Sequence, residues 1–142
     1  RHFRATFEQA AVGIAHTTFD GRFIEANGRL CEMTGYAREE LMRMTTLELS
    51  VPADRGRYAS QYQEIIDGRR EGFSGEKQWL RKDGTPIWVN RTVSRAGDDG
   101  DPQPYLIQVI EDISERKRIE SNLARLARAR RVMAEVNKAL VH

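Results

Sequence analysis

Phe3, Phe7 and the Ala10-Ala11 pair recur at helical spacing and predict a short amphipathic helix at the start of the chain. Residues 12–18 read as a strand, Asp20-Gly21 is a two-residue hairpin signal, and residues 22–26 predict the return strand. Asn27 stands where it can cap a short helix over Gly28–Thr34, which Gly35 ends. Another helical turn is expected at residues 38–42. Residues 45–54, with Pro52, look irregular. A longer helix is predicted over 54–67, with Tyr58, Tyr62, Ile65 and Ile66 on one face and Gly68 as its stop. From Phe73 the period becomes strand-like. Lys82-Asp83-Gly84 separates a strand near 73–81 from one near 86–95. After a polar loop at 97–104, residues 105–113 form the most hydrophobic strand, with apolar residues on both faces. Such a strand is covered on both sides, one cover being the core and the other the opening helix or a partner chain. This order predicts an α+β fold: a five-stranded antiparallel sheet with short helices on one face and a long C-terminal helix.

The last strand runs into a charged helix with no stop signal. Asp112 is placed to cap it with Glu115 at N3, and Ser114 is the rival cap. About 28 residues at 1.5 Å each give a rod of about 42 Å. Ile119, Leu123, Leu126, Arg130, Met133, Asn137 and Leu140 alternate by four and three, the seam of a coiled coil. A second face, Ala129, Val132, Val136 and Leu140, competes after Leu126 and marks a phase shift. A parallel homodimer is the expectation. A helix folded back on its own sheet is the alternative.

The net charge of +2 selects no partner, but its distribution is uneven. Residues 115–142 carry eight Lys/Arg against three Asp/Glu, and the remainder is net negative. No aromatic platform accompanies the basic helix, so nucleic acid is not an expected partner. The single cysteine, Cys31, excludes an internal disulfide and a thiolate-cluster metal site, and no metal is expected. No apolar run approaches the roughly 20 residues of a membrane span, so no membrane contact is expected within these residues. Beginning at Arg1, the chain reads as a piece of something longer. Phosphate-cradling Gly-rich loops, His-Glu-x-x-His and Gly-x-Ser-x-Gly are missing, and no catalytic residue is assigned.

Several segments, in this order, resemble a PAS domain with its C-terminal PAC segment: residues 20–27, Met33-Thr34-Gly35-Tyr36 with Glu39-Glu40-Leu41, Pro52-Ala53-Asp54-Arg55, Arg81-Lys82-Asp83-Gly84 with Trp88-Val89, and residues 111–117. The resemblance covers about residues 1–120 and sets the expected division: a sensor domain over 1–117 and a linker helix over 118–142. Residues 131–140 resemble the lead-in to a GAF domain, so a GAF or other output domain is expected beyond. The resemblance implies a small-molecule cavity under the sheet and a cytoplasmic sensory role in a histidine kinase or cyclic-di-GMP enzyme. Ile14, Ile24, Cys31, Leu41, Tyr58, Tyr62, Trp79, Val89, Arg91, Gln108 and Ile110 are the candidate lining. An ordinary core would use many of the same residues.

Alternation in the fourth strand turns Ile87, Val89, Arg91 and Val93 inward, and an inward Arg91 favours an anionic ligand. Gln108 is then a lone polar group among Leu106 and Ile110. Signal relay is assigned to Asp112, paired with a basic residue of the Arg81-Lys82 arm, together with Ser114 and Glu115. Among cofactors of the resembled family, haem lacks an axial His in residues 54–67. Light-sensing flavin lacks its reactive-Cys motif, and Ile110 stands where that subfamily has Gln. Neither is expected, and the cofactor is left unknown. Two alternatives remain open: a constitutive dimerisation module without ligand, and a cofactor-bound redox or light sensor.

Overall fold

The computed structural model describes residues 7–8, 11–97 and 104–141. The predicted opening helix and most of the polar loop lie outside them, apart from Phe7 and Glu8, which are helical. The elements are β1 (Gly13–Thr17), β2 (Phe23–Ala26), α1 (Gly28–Thr34), α2 (Arg38–Leu41), α3 (Thr46–Leu49), a 3-10 turn (Pro52–Asp54), α4 (Ala59–Ile66), β3 (Gly72–Leu80), β4 (Pro86–Ala96), β5 (Tyr105–Asp112) and α5 (Ser114–Val141). The strands form one sheet in the order β2-β1-β5-β4-β3, with every pair antiparallel. The expected fold class is the one observed.

Asn27 organises the first half. Its fully buried Oδ1 accepts from Ile14 N at 2.9 Å and Leu30 N at 3.0 Å. Its Nδ2 donates to Phe7 O at 2.8 Å and Val12 O at 3.0 Å. One side chain thus caps α1 and ties it to β1 and to the segment before it. The close approach shows at Gly13, where a Cβ would stand 2.9 Å from Leu30 Cδ1. Only small residues fit this inward face of β1, which is Gly13, Ala15 and Thr17.

Ile14 therefore points to the opposite face, where it pairs with Val109. Ile24, expected in the pocket, is likewise directed outward and is 48 % exposed. His16 shares the outer face with Ile14. It is buried between the rings of Phe7 and Tyr105, at centroid distances of 5.7 and 5.2 Å, rather than exposed as its position at the end of β1 suggests.

The helix expected over 54–67 starts later, at Ala59. Asp54 does not cap it; its Oδ2 accepts from Gln78 N of β3 at 2.7 Å. Gly56, at φ +80°, then takes a left-handed conformation that breaks the helical path. Conversely, the irregular stretch contains α3. Thr45 Oγ1 accepts from Glu48 N, and Glu48 Oε1 accepts from Thr45 N, each at 3.3 Å. This is a capping box spelled Thr45-x-x-Glu48.

The main core joins Ala15, Phe23, Leu30, Met33, Leu41, Trp79, Val89 and Ile110. A smaller cluster, Ile65, Val93 and Leu106 with Phe19, Tyr62 and Phe73 against it, lies under the far part of the sheet.

The chain divides into two units, residues 1–112 and 113–142. The second is α5, 28 residues long. Its apolar residues Ile119, Leu123, Leu126, Val132, Met133, Val136 and Leu140 are all exposed. Among the described residues no helix is long and apolar enough to cross a membrane.

Candidate functional site

β3 and β4 pair antiparallel with Lys77 opposite Val89 and Gly75 opposite Arg91. Residues 73, 75, 77 and 79 of β3 therefore share the inward face with 87, 89, 91 and 93 of β4. The inward set predicted for β4 is observed: Ile87, Val89 and Val93 are buried, and Arg91 with them at 5 % exposure. Lys77, at 4 %, is its diagonal neighbour. The two cations stand about 7–8 Å apart at the backbone, within reach of one ligand.

Both lie against a cavity of about 550 Å³. Thr46 and Leu47 of α3, Arg55 and Gly56 of the following turn, Tyr58, Ala59 and Tyr62 at α4, and Asp20 of the first hairpin complete the wall. Tyr58 lies flat over Gly75 and donates from its hydroxyl to Glu76 O at 2.7 Å. Gly75 is required there, because a Cβ would stand 2.3 Å from Tyr58 Cζ.

Among the described residues neither Lys77 nor Arg91 forms an ion pair, and Arg91 Nε has no hydrogen-bond partner. The guanidinium rests instead over the Phe73 ring, 5.9 Å from its centroid. Burial and the Arg91 charge lower the Lys77 ammonium from the ordinary 10.5 to about 8, against the opposing pull of Asp54. Lys77 also lines the cavity. Burial also lowers Arg91, with Tyr62 and Tyr58 opposing. Tyr62 is raised, by burial first, against the lowering effects of Arg91 and Thr17. Its hydroxyl lies beside Thr17 without a hydrogen bond of standard geometry.

Three of the expected lining residues meet at this cavity: Tyr58, Tyr62 and Arg91. Leu41, Trp79, Val89 and Ile110 are main-core residues, with the half-buried Cys31 packed against them. Ile14 and Ile24 are on the other face. Gln108 faces inward and is fully buried, as expected, but does not line the cavity. Its Nε2 donates to Thr17 Oγ1 at 3.0 Å, and its Oε1 has no partner. Thr17 thus stands between the cavity wall at Tyr62 and the centre of β5. Lys77 is the main residue missed. In β3 Lys77 is in phase with Phe73 and Trp79, as Arg91 in β4 is with Ile87, Val89 and Val93.

The expected relay contact takes another form. Lys82 Nζ pairs with Glu40 Oε2 of α2 at 2.7 Å rather than with Asp112. That contact, ahead of the Ala37 backbone, holds the Glu40 carboxyl below its usual range. Arg81 turns back onto its own hairpin, donating to Pro86 O at 3.0 Å. The hairpin is thereby tied to α2. Asp112 closes β5, paired with Val89, and α5 begins at Ser114 with Glu115 in its first turn. Ile113 lies between them, and its carbonyl accepts from Lys117 N at 2.9 Å. Among the described residues no cluster of three or more His, Cys, Asp or Glu side chains is placed to hold a metal ion.

Comparison with known proteins agrees with this architecture. The chain is 36 % identical over 120 residues to the probable diguanylate cyclase DgcE of Escherichia coli (strain K12), covering 84 % of this chain and 11 % of that protein. It is 28 % identical over 124 residues to the sensor histidine kinase TmoS of Ectopseudomonas mendocina, covering 87 % and 13 %. The chain thus spans little more than a tenth of these relatives. A PAS domain from Colwellia psychrerythraea superposes with a TM-score of 0.71 at 20 % identity, over 80 % of this chain and 96 % of that one, which speaks to the fold. The PAS fold family matches residues 1–113. With its sheet, its helices and its relatives in signalling proteins accounted for, this chain belongs to the PAS family of sensory domains.

Proposed function

We propose that this PAS domain is a ligand-responsive relay in a multidomain signalling protein, cytoplasmic and without catalysis of its own. A small molecule in the cavity favours one of two sheet arrangements, and α5 carries the difference to an output domain. The observation that carries this reading is the cavity itself. It is roomy and walled by Tyr58 and Tyr62, yet it also holds two buried cations for which the described residues supply no counter-ion. A module needing only a packed core has no use for them.

Tyr62, Thr17 and Gln108 lead from the wall to β5, and β5 continues through Ile113 into α5. The exposed seam Ile119, Leu123, Leu126, Met133 and Leu140 fits a parallel dimer in which α5 is the coiled-coil linker. A histidine kinase or a diguanylate cyclase is the output that the relatives favour.

The test uses the parent protein carrying Ala59→Trp, which fills the cavity mouth from α4. Its enzymatic output shifts and ceases to respond to the signal. An output and response equal to wild type contradict the reading. Light scattering of the chain cut after Lys117 tests the linker. The dimer weakens if α5 supplies the seam, and an unchanged mass contradicts that part.

A further inference from the structure

Resting on that reading of the cavity, we infer that its ligand is a small organic oxyanion with an apolar body. The headgroup is held between Lys77 and Arg91.

Two positive charges on adjacent strands, both nearly buried, are an expensive arrangement. Buried charges in folded proteins are paired, because desolvation is not otherwise repaid. The carboxylates nearby do not serve. Asp54 accepts from Gln78 N at 2.7 Å and pairs with Arg57 at 3.3 Å. Asp20 accepts from the Thr18 hydroxyl at the cavity mouth. An oxyanion entering the cavity meets the planar fork of Arg91, which suits a carboxylate or a phosphate, and the point charge of Lys77. The partnerless Tyr62 hydroxyl is a third donor. The rest of the ligand lies along Tyr58 and Leu47. A neutral ligand would leave both cations uncompensated, and a cation would be repelled.

A pH dependence follows from the groups around Lys77. These are Arg91 from β4, Asp54 and Arg55 from the turn, Arg57, Tyr58 and Tyr62 at α4, and Asp20 across the mouth. Burial first, then Arg91 and Arg57 against the opposing pull of Asp54, place the ammonium at about 8, so it is mostly charged at pH 7 and mostly neutral at pH 9. A bound anion favours the charged form and raises this value. Affinity is then flat below pH 7 and falls about tenfold between pH 7 and 9.

Isothermal titration of the purified chain, in a buffer free of carboxylate and phosphate, tests the proposal. The probes are benzoate, 3-phenylpropionate, indole-3-acetate and phenyl phosphate, with the carboxamide of each acid and phenol as neutral counterparts. At least one oxyanion binds ten times or more tighter than its neutral counterpart, and the preferred probe shows whether the headgroup is carboxylate or phosphate. Lys77→Met and Arg91→Met each lower that affinity tenfold or more. Lys77→Arg retains it and abolishes the loss at pH 9, which separates a charge requirement from damage to the fold.

Neutral counterparts binding as tightly as the oxyanions overturn the anion inference and leave the sensing reading standing. So does binding by Lys77→Met equal to wild type. Failure of every probe to bind overturns the inference. Joined to an unaltered output of the Ala59→Trp parent, that failure overturns the sensing reading as well.

Discussion

Lys77→Met should make the ligand-free domain more stable at neutral pH. In the unfolded chain the ammonium has its ordinary value of 10.5, and in the folded chain about 8. The charged form is thus disfavoured by folding. A drop of this size corresponds to at most about 3 kcal/mol at pH 7, where both states are protonated. Lys77 lines a cavity open to solvent, so screening reduces this to about 1.5 kcal/mol. Methionine keeps the apolar stem of the buried side chain and removes the charge.

The expected gain for a domain of this size is about 6 °C in Tm. The sign of the pH dependence is fixed. Between about pH 8 and 10.5 the unfolded chain holds more protons than the folded one, so wild-type stability rises with pH in that window. The advantage of the variant is full at pH 7 and mostly gone by pH 10. Urea melts of both proteins at the two pH values, in a buffer without small organic anions, read this directly. A variant less stable than wild type at pH 7, or an equal difference at both pH values, would refute the argument that Lys77 is an uncompensated buried charge.

Asn27→Ala removes four hydrogen bonds of 2.8–3.0 Å, two of them fully buried, and should cost about 3–5 kcal/mol in urea melts; a loss under about 1 kcal/mol would contradict its place as the joint between α1 and β1. Gly75→Ala drives a methyl group into Tyr58 and breaks the hydroxyl contact with Glu76 O. It should destabilise by about 1–2 kcal/mol and weaken binding of the best oxyanion probe, and unchanged affinity would show that Tyr58 is not a working wall. Gln108→Leu replaces a half-satisfied buried amide with an apolar side chain, so melting should be unchanged or raised by up to about 1 kcal/mol while the parent's response to signal is lost; a preserved response would remove Gln108 from the relay.

Where one physical preference governed an element, the sequence was readable. β4 is an example: alternation alone turned Arg91 inward. Tyr58 and Tyr62 followed from the helical face even though α4 begins at Ala59 rather than near Asp54. Misplacements arose where tertiary contact overrode local pattern. Apolar residues were expected inward on β1 and β2, but Leu30 of α1 presses on Gly13 and leaves room only for small side chains, so Ile14 turns out. Lys77 was hidden for a related reason. A lysine in a strand beside Gly75 and Glu76 reads as a solvated edge position. Only the pairing of β3 with β4 makes it the neighbour of Arg91. The ion-pair partner of Lys82 was unreadable because Glu40 is remote in sequence and reaches it only once α2 is packed.

The central claim is that cavity occupancy changes the arrangement of α5. The direct measurement is the distance between spin labels at Arg128→Cys in the two protomers, on a Cys31→Ser background, by double electron–electron resonance. Spectra are compared without ligand and with saturating indole-3-acetate, or whichever oxyanion probe binds tightest. The account predicts a defined inter-protomer distance that shifts on binding and does not shift in Lys77→Met. Identical distance distributions with and without the bound probe, or no inter-protomer signal, would contradict it.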